Sequence, residues 1–188
     1  MYPFIFITIA LAVGYLMRTS PGMGNILGGA LALGLLLETA IATPNYLAHT
    51  NLIAELVGGG IKVVGDSSLD WGQDLKLLAE WQREHPNELL YLDYFGTADP
   101  AAYGVRALYI DQPGAWPPWP WVPKTRDLRA PGTLAISATN LQGIYAAPEV
   151  RQSYEKAFGP VPPKQILGGT IYLYDWPLPP PPTTMATP

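Results

Sequence analysis

The chain contains one stretch dense in groups that could do chemistry. Val63-Val64-Gly65-Asp66-Ser67-Ser68-Leu69-Asp70-Trp71-Gly72-Gln73-Asp74 carries three carboxylates, two hydroxyls, an amide and an indole behind a short apolar run. Asp66 and Asp70 could form a carboxylate pair for acid-base hydrolysis, although the sequence does not fix their separation. Asp66-x-Ser68-x-Asp70 opens like a calcium loop. Position six is Trp71 where Gly is required, however, and position twelve is Leu77 where a bidentate Glu is required. Local structure offers a plainer role. Asp70 and Gln73 have capping-box spacing, with Asp70 accepting from a helix N–H and Gln73 reaching back. That spacing leaves Asp66, Ser67 and Trp71 without an assigned role.

Two further turns carry the same types. Gly96-Thr97-Ala98-Asp99 precedes Pro100, so Asp99 reads as an N-cap followed by proline at the first helical position. Ser137-Ala138-Thr139-Asn140-Leu141-Gln142 follows an apolar run, and Thr139 or Asn140 could cap a turn there.

The elements that must hold these turns read as an α/β domain. Expected strands are Ile61–Val64, Leu89–Phe95, Val105–Ile110, Leu134–Ser137 and Thr170–Trp176. Trp71–Glu84 and Pro148–Phe158 read as helices, and Asp99–Tyr103 as a helical turn. Strands alternating with helical pieces predict a small, largely parallel sheet. In such a sheet the three turns share one edge, at the carboxyl ends of the strands. Open α/β sheets bind ligands at that edge. Asp66, Ser67, Asp70, Trp71, Gln73, Thr97, Asp99, Ser137, Asn140 and Gln142 are therefore the residues expected to line a ligand or packing edge.

Composition narrows the chemistry. The chain has 188 residues and a net charge of -4. Lys and Arg do not cluster, which argues against nucleic-acid binding. With no cysteine, thiolate and disulfide chemistry is excluded. His49 and His85 are the two imidazoles, so a Ser-His-Asp engine would need one of them. Neither a metal site nor a cofactor is expected.

The first third is a different material. Residues 3–17 and 22–37 carry no charge, and Arg18-Thr19-Ser20-Pro21 forms a turn between them. This predicts a two-helix transmembrane hairpin over residues 1–43, each helix near the short end of a spanning length. A buried soluble hairpin and a signal peptide cleaved after Ala40-Ile41-Ala42 are the rival readings. Gly24, Gly28 and Ala32 recur at four-residue spacing, which lets helices approach closely in lipid. Arg18 favours a cytoplasmic link, with the globular part outside.

Residues 44–60 read as an interfacial linker helix, 61–176 as the α/β domain and 177–188 as a Pro-rich tail. Within 111–131 lies Trp116-Pro117-Pro118-Trp119-Pro120-Trp121. Stiff backbone and large indole faces could fold over the domain, enter the membrane interface, dock on a partner or stack on sugar. Trp116, Trp119 and Trp121 are the residues expected to dock.

Several segments in order also resemble a known family. They are Thr43-Pro44-Asn45-Tyr46-Leu47-Ala48, Asp66-Ser67-Ser68-Leu69-Asp70-Trp71-Gly72-Gln73-Asp74-Leu75, Tyr94-Phe95-Gly96-Thr97-Ala98-Asp99-Pro100 and Ser137-Ala138-Thr139-Asn140-Leu141-Gln142-Gly143. Together they resemble the C-terminal end of bacterial polyprenyl-phosphate-dependent glycosyltransferases. Those many-pass membrane proteins are similar to the protein O-mannosyltransferases and the lipid A aminoarabinose transferases.

The resemblance implies a region outside the cytoplasmic membrane, on the periplasmic side. The family's catalysis is attributed to an acidic residue in a loop among its N-terminal membrane helices. Nothing in this sequence matches that motif, so no catalytic residue is implied. The expectation is a non-catalytic, membrane-anchored accessory or scaffolding subunit, with membrane lipid and other membrane protein subunits as partners. The alternative is a fragment or split half of such a transferase. It would act with a separate catalytic chain and a polyprenyl-phosphate sugar. A small independent hydrolase using Asp66, Asp70 and a histidine is the third reading.

Overall fold

In the computed structural model, the described residues are 2–51, 54, 56, 58–110, 124, 125 and 127–179. The expected docking tryptophans and most of the Pro-rich tail lie outside them. The chain divides into two compact units, Met1–Tyr46 and Leu47–Pro188.

The first unit is two helices, α1 (Tyr2–Thr19) and α2 (Pro21–Ala42). Ser20 and Pro21 break them, since proline cannot continue a helix but fits its first turn. α2 is 22 residues with a mean hydropathy of 1.7, long and apolar enough to cross a membrane. α1 is shorter by the same measure. A Cβ on Gly24 would lie within 2.7 Å of the Leu16–Met17 backbone, and one on Gly28 would meet Val13 and Met17 side chains at 3.3 Å. Two of the three small residues therefore face α1.

The second unit is α/β. Its helices are α3 (Gly60–Val63), α4 (Leu75–Glu84), α5 (Ala138–Leu141) and α6 (Pro148–Phe158), with 3-10 turns at Asp66–Ser68 and Pro100–Tyr103. Its strands are β1 (Leu90–Asp93), β2 (Leu108–Ile110), β3 (Lys124–Thr125), β4 (Gly132–Ser137), β5 (Gln165–Leu167) and β6 (Ile171–Trp176). They form one sheet in the order β3-β2-β1-β4-β6-β5. β3, β2, β1 and β4 run parallel, whereas β6 is antiparallel to both β4 and β5. The sheet is mixed, not largely parallel.

Alternation along the strands sorts the core onto two faces. Leu90, Leu92, Ile171 and Leu173 join Leu75, Leu78 and Trp81 of α4. Tyr91, Leu134, Ile136, Tyr172 and Tyr174 join Phe158 of α6 and Val161. The sheet is thus covered by a helix on each side, which explains why β1 and β4 are apolar on both faces.

Three expectations need correction. Ile61–Val64 is no strand; its first three residues belong to α3. Four residues, three of them apolar, cannot distinguish helix from strand by periodicity, and here Gly59, at φ 80, redirects the chain into a helical turn. The second helix starts at Leu75 instead of Trp71, because the Asp70 side chain turns inward and leaves residues 71–74 as turns. β5 was not anticipated, being three residues long and two-thirds exposed.

Candidate functional site

The parallel pair β1 and β4 ends at the same edge, and antiparallel β6 begins there. That register, with Asp93 opposite Ile136 and Ser137 opposite Ile171, brings three chain segments together. The loop before α4 closes over them. The result is a layer of polar groups beneath the strand ends.

Asp70 is fully buried. Its Oδ1 accepts from the Gly72 N–H at 2.8 Å and its Oδ2 from the Thr139 N–H at 3.4 Å. Burial pushes its carboxyl up to about 6, against the two N–H donors that favour the charged form. The Thr139 hydroxyl beside it lowers that value slightly but reaches no partner at good geometry. Asp74 accepts from the Thr170 hydroxyl at 2.7 Å, and burial raises its carboxyl as well. Gly168 makes room for this contact. At φ +59, a Cβ there would sit 2.1 Å from the Asp74 carboxyl carbon.

Asp93, at the end of β1, faces the α6 side. It accepts from Asn140 Nδ2 at 2.8 Å and from the Tyr154 hydroxyl at 3.0 Å. Burial pushes it to about 6. Ser137 Oγ accepts from the buried Phe95 N–H at 2.9 Å, tying β4 to the end of β1. The Tyr94 hydroxyl donates to the Gly72 carbonyl at 3.2 Å. A Cβ on Gly72, at φ +72, would lie 2.0 Å from that hydroxyl.

The expected residues divide accordingly. Asp70, Ser137 and Asn140 take part in the hydrogen bonds at the strand ends, together with Asp74, Asp93, Thr139, Tyr154 and Thr170. Gln142 donates to the Ile61 and Val64 carbonyls at 2.8 and 2.7 Å, fastening α3 to the edge. Gln73 does reach back, but to the Trp71 N–H at 2.8 Å, while its amide donates to the Leu69 carbonyl. The N-cap position of α4 is Asp74, so Asp70 and Gln73 are not its capping box. Asp99 caps the Pro100–Tyr103 turn as expected, accepting from the Ala101 N–H at 2.9 Å. Asn140 lies inside α5, and the cap position there is Ser137.

Asp66, Thr97 and Trp71 lie outside the layer. Asp66 sits at φ 52 and hydrogen-bonds the Tyr145 hydroxyl, whose pKa it raises. Tyr145 stacks on Phe95 with ring centroids 5.8 Å apart. Thr97 is exposed, Trp71 is 59% exposed and Ser67 lies in the 3-10 turn.

The geometry opposes the chemical readings. Asp66 turns to Tyr145 while Asp70 turns into the core, so the two do not face a common space. Asp70 is buried with each oxygen accepting from an N–H group, and no cluster of three metal-ligating side chains occurs among the described residues. His85 stacks on Trp81 at 4.4 Å and bonds the Trp81 carbonyl at the far end of α4. Ten helical residues, roughly 15 Å, separate it from Asp74.

The sequence reading missed Asp93, Tyr154 and Thr170, and named Asp74 and Thr139 without counting them among the edge residues. The available signal was Asp93, a lone charge inside the apolar run Leu89–Phe95. The buried partners of Asp74 and Asp93 lie 47 or more residues away, beyond any local pattern.

No protein-family model, curated protein or solved structure matches this chain.

Proposed function

We propose that the chain is a membrane-anchored, non-catalytic accessory or scaffolding subunit of a larger membrane assembly. In this reading α1 and α2 span the cytoplasmic membrane as a hairpin. The Arg18 link faces the cytoplasm and the α/β unit stands on the periplasmic side. The partners are membrane lipid and other membrane protein subunits.

One observation carries the reading. The carboxylates at the sheet edge, where an α/β enzyme would keep its reactive groups, are Asp70, Asp74 and Asp93. Each is at most 4% exposed and holds two segments together. A catalytic acid or base must touch a substrate. These groups instead accept from backbone N–H groups, hydroxyls and the Asn140 amide of their own chain. The layer is a fastening that keeps the loops in place.

The second reading is a split half of a polyprenyl-phosphate-dependent glycosyltransferase. Three motifs in family order favour it, and it requires a separate chain with the catalytic loop and lipid-sugar cavity.

Mild-detergent purification from native membranes, followed by mass spectrometry, separates the two. A stoichiometric assembly without sugar-transfer activity supports the accessory subunit. Pairing with one many-helix chain, and transfer of a polyprenyl-phosphate sugar that needs both chains, supports the split enzyme. A chain that purifies alone refutes both.

A further inference from the structure

The α/β unit sorts its surface along the strand direction. At the edge where β1 and β4 end, the exposed side chains include Leu47, Val63, Trp71, Ile144 and Tyr145. They stand on neighbouring segments. Tyr145 stacks on Phe95, just past β1, and holds Asp66 through its hydroxyl. A Cβ on Gly65 would lie 2.7 Å from Ile144, and one on Gly96 would lie 3.0 Å from the Cα of Gly72, beside Trp71. Gln142 fastens α3, with Val63, to the same edge.

The opposite edge is charged. Lys164 pairs with Glu88 at 3.1 Å and with Asp175 at 2.9 Å, and Arg129 pairs with Asp127 at 2.8 Å. These residues sit where β1, β4 and β5 begin and β6 ends. The six residues of β4, roughly 20 Å, separate the two edges.

Chain connectivity selects the apolar edge for the bilayer. α2 is long and apolar enough to cross a membrane, and Glu38, its only charge, stands close to its end at Ala42. From Ala42 to Leu47 is at most roughly 18 Å of extended chain. Ala48 then packs at the strand-end edge. Its Cβ is 3.0 Å from where a Cβ on Gly169 would lie, just before Thr170 and β6. The link that leaves the bilayer therefore enters the unit at its apolar, aromatic edge and not at its ion-paired one.

Trp and Tyr favour the membrane–water interface, where the ring is sheltered and its N–H or O–H stays wet. The charges on these segments and their neighbours are Lys62, Asp66, Asp99 and Glu149, with Arg151 and Glu155 paired to each other. They sum to a net negative charge, so anionic lipid has no basic cluster to hold.

We propose that the strand-end edge of the α/β unit rests on the headgroup layer of a neutral lipid surface. Trp71, Ile144 and Tyr145 enter the interface, and the ion-paired edge stands in water. The proposal rests on the membrane-anchored part of the proposed function and names the face turned to the bilayer.

The chain has no cysteine, so single-cysteine variants of the full chain each take one spin label. The sites are Val63→Cys and Ile144→Cys at the apolar edge, and the exposed Asn87→Cys before β1 at the charged edge. Leu33→Cys, exposed on α2, reports the anchor. In phosphatidylcholine nanodiscs, paramagnetic resonance measures collisions with oxygen and with a water-soluble nickel chelate. The expected result is a loss of nickel collisions and a gain of oxygen collisions at Val63 and Ile144, relative to Asn87. Partial replacement by phosphatidylglycerol should leave the pattern unchanged. Trp71 lies outside both core clusters, and Trp71→Ser should move the Ile144 label back toward water.

Val63 and Ile144 labels as wet as Asn87, with Leu33 in lipid, overturn the edge and leave the anchor standing. A wet Leu33 sinks the anchor and the edge together. Shielding at Ile144 in native membranes but not in lipid alone assigns the face to a protein partner and overturns the proposal. So does shielding that needs anionic lipid, or that ignores Trp71→Ser.

Discussion

Burying Asp93 has a direct thermodynamic consequence. Its carboxyl moves from 3.8 to about 6 on folding, with desolvation outweighing the bonds from Tyr154 and Asn140. The folded-state value is raised, so the folded chain binds more protons between these limits. Its contribution is fully present below the unfolded pKa and is lost as pH rises through about 6. A shift of about two units corresponds to about 3 kcal/mol. About 2 kcal/mol of this should be lost between pH 4.5 and 7.5, a fall of about 6 °C in melting temperature for a unit of this size. Asp93→Asn keeps the shape and removes the charge. Its melting temperature should equal or exceed the parent's at pH 7.5, with a shallower slope. The assay is tryptophan fluorescence of the full chain in detergent over that range. Asp70 and Asp74, whose carboxyls burial also raises, are common to both proteins and cancel in the difference. Glu88, whose carboxyl is lowered by Thr133 and Lys164, acts with the opposite sign mainly below this window. A parent curve that is level or rises with pH, or equal slopes in the two proteins, would refute the reasoning.

Gly168→Ala should destabilise the domain by about 2–4 kcal/mol, since φ is +59 and the new methyl would overlap the Asp74 carboxylate; denaturant unfolding measures it. Ser137→Ala leaves the buried Phe95 N–H without an acceptor and should lower stability by about 1–3 kcal/mol, with faster amide exchange at Phe95. Asp99→Ala removes an exposed cap and should lower stability by about 0.5–2 kcal/mol, read by denaturant unfolding. Changing Trp116, Trp119 and Trp121 together to alanine should release the chain from its assembly while the unfolding transition stays in place. Unchanged co-purification would count against docking through that loop.

Much of the scaffold was legible because its signals are local. Pro148–Phe158 has proline at its first position and an amphipathic stripe, and it forms as read. β1, β4 and β6 are apolar runs bounded by polar turns, and each forms within a residue or two of its expected place. Asp99 caps its own turn, so two residues of sequence suffice. Asp70 looked equally local yet serves Thr139 as well as Gly72, and no spacing rule reaches across 69 residues. Ile61–Val64 failed because a short apolar run has no period. The antiparallel half of the sheet was missed because β5 presents only Gln165, Ile166 and Leu167. The strand ends were read as an edge for either ligand binding or packing, and the sequence does not choose between them, because whether a carboxylate faces water or a hydroxyl depends on tertiary packing.

The Asp74–Thr170 bond joins residues 96 positions apart, and β4 gains its second neighbour only when β6 arrives. Closing such long loops is entropically slow, and little rewards it until the final strand is in place. The loop before α4 leaves the ribosome early, yet its Asp74 has no hydroxyl to accept from until Thr170 emerges. Folding of this unit should therefore be late and nearly all-or-none. A nascent chain stalled before residue 170 would leave Asp74 without its partner and open to solvent. The Asp74–Thr170 bond is then a clasp that closes only once the last strand has been made.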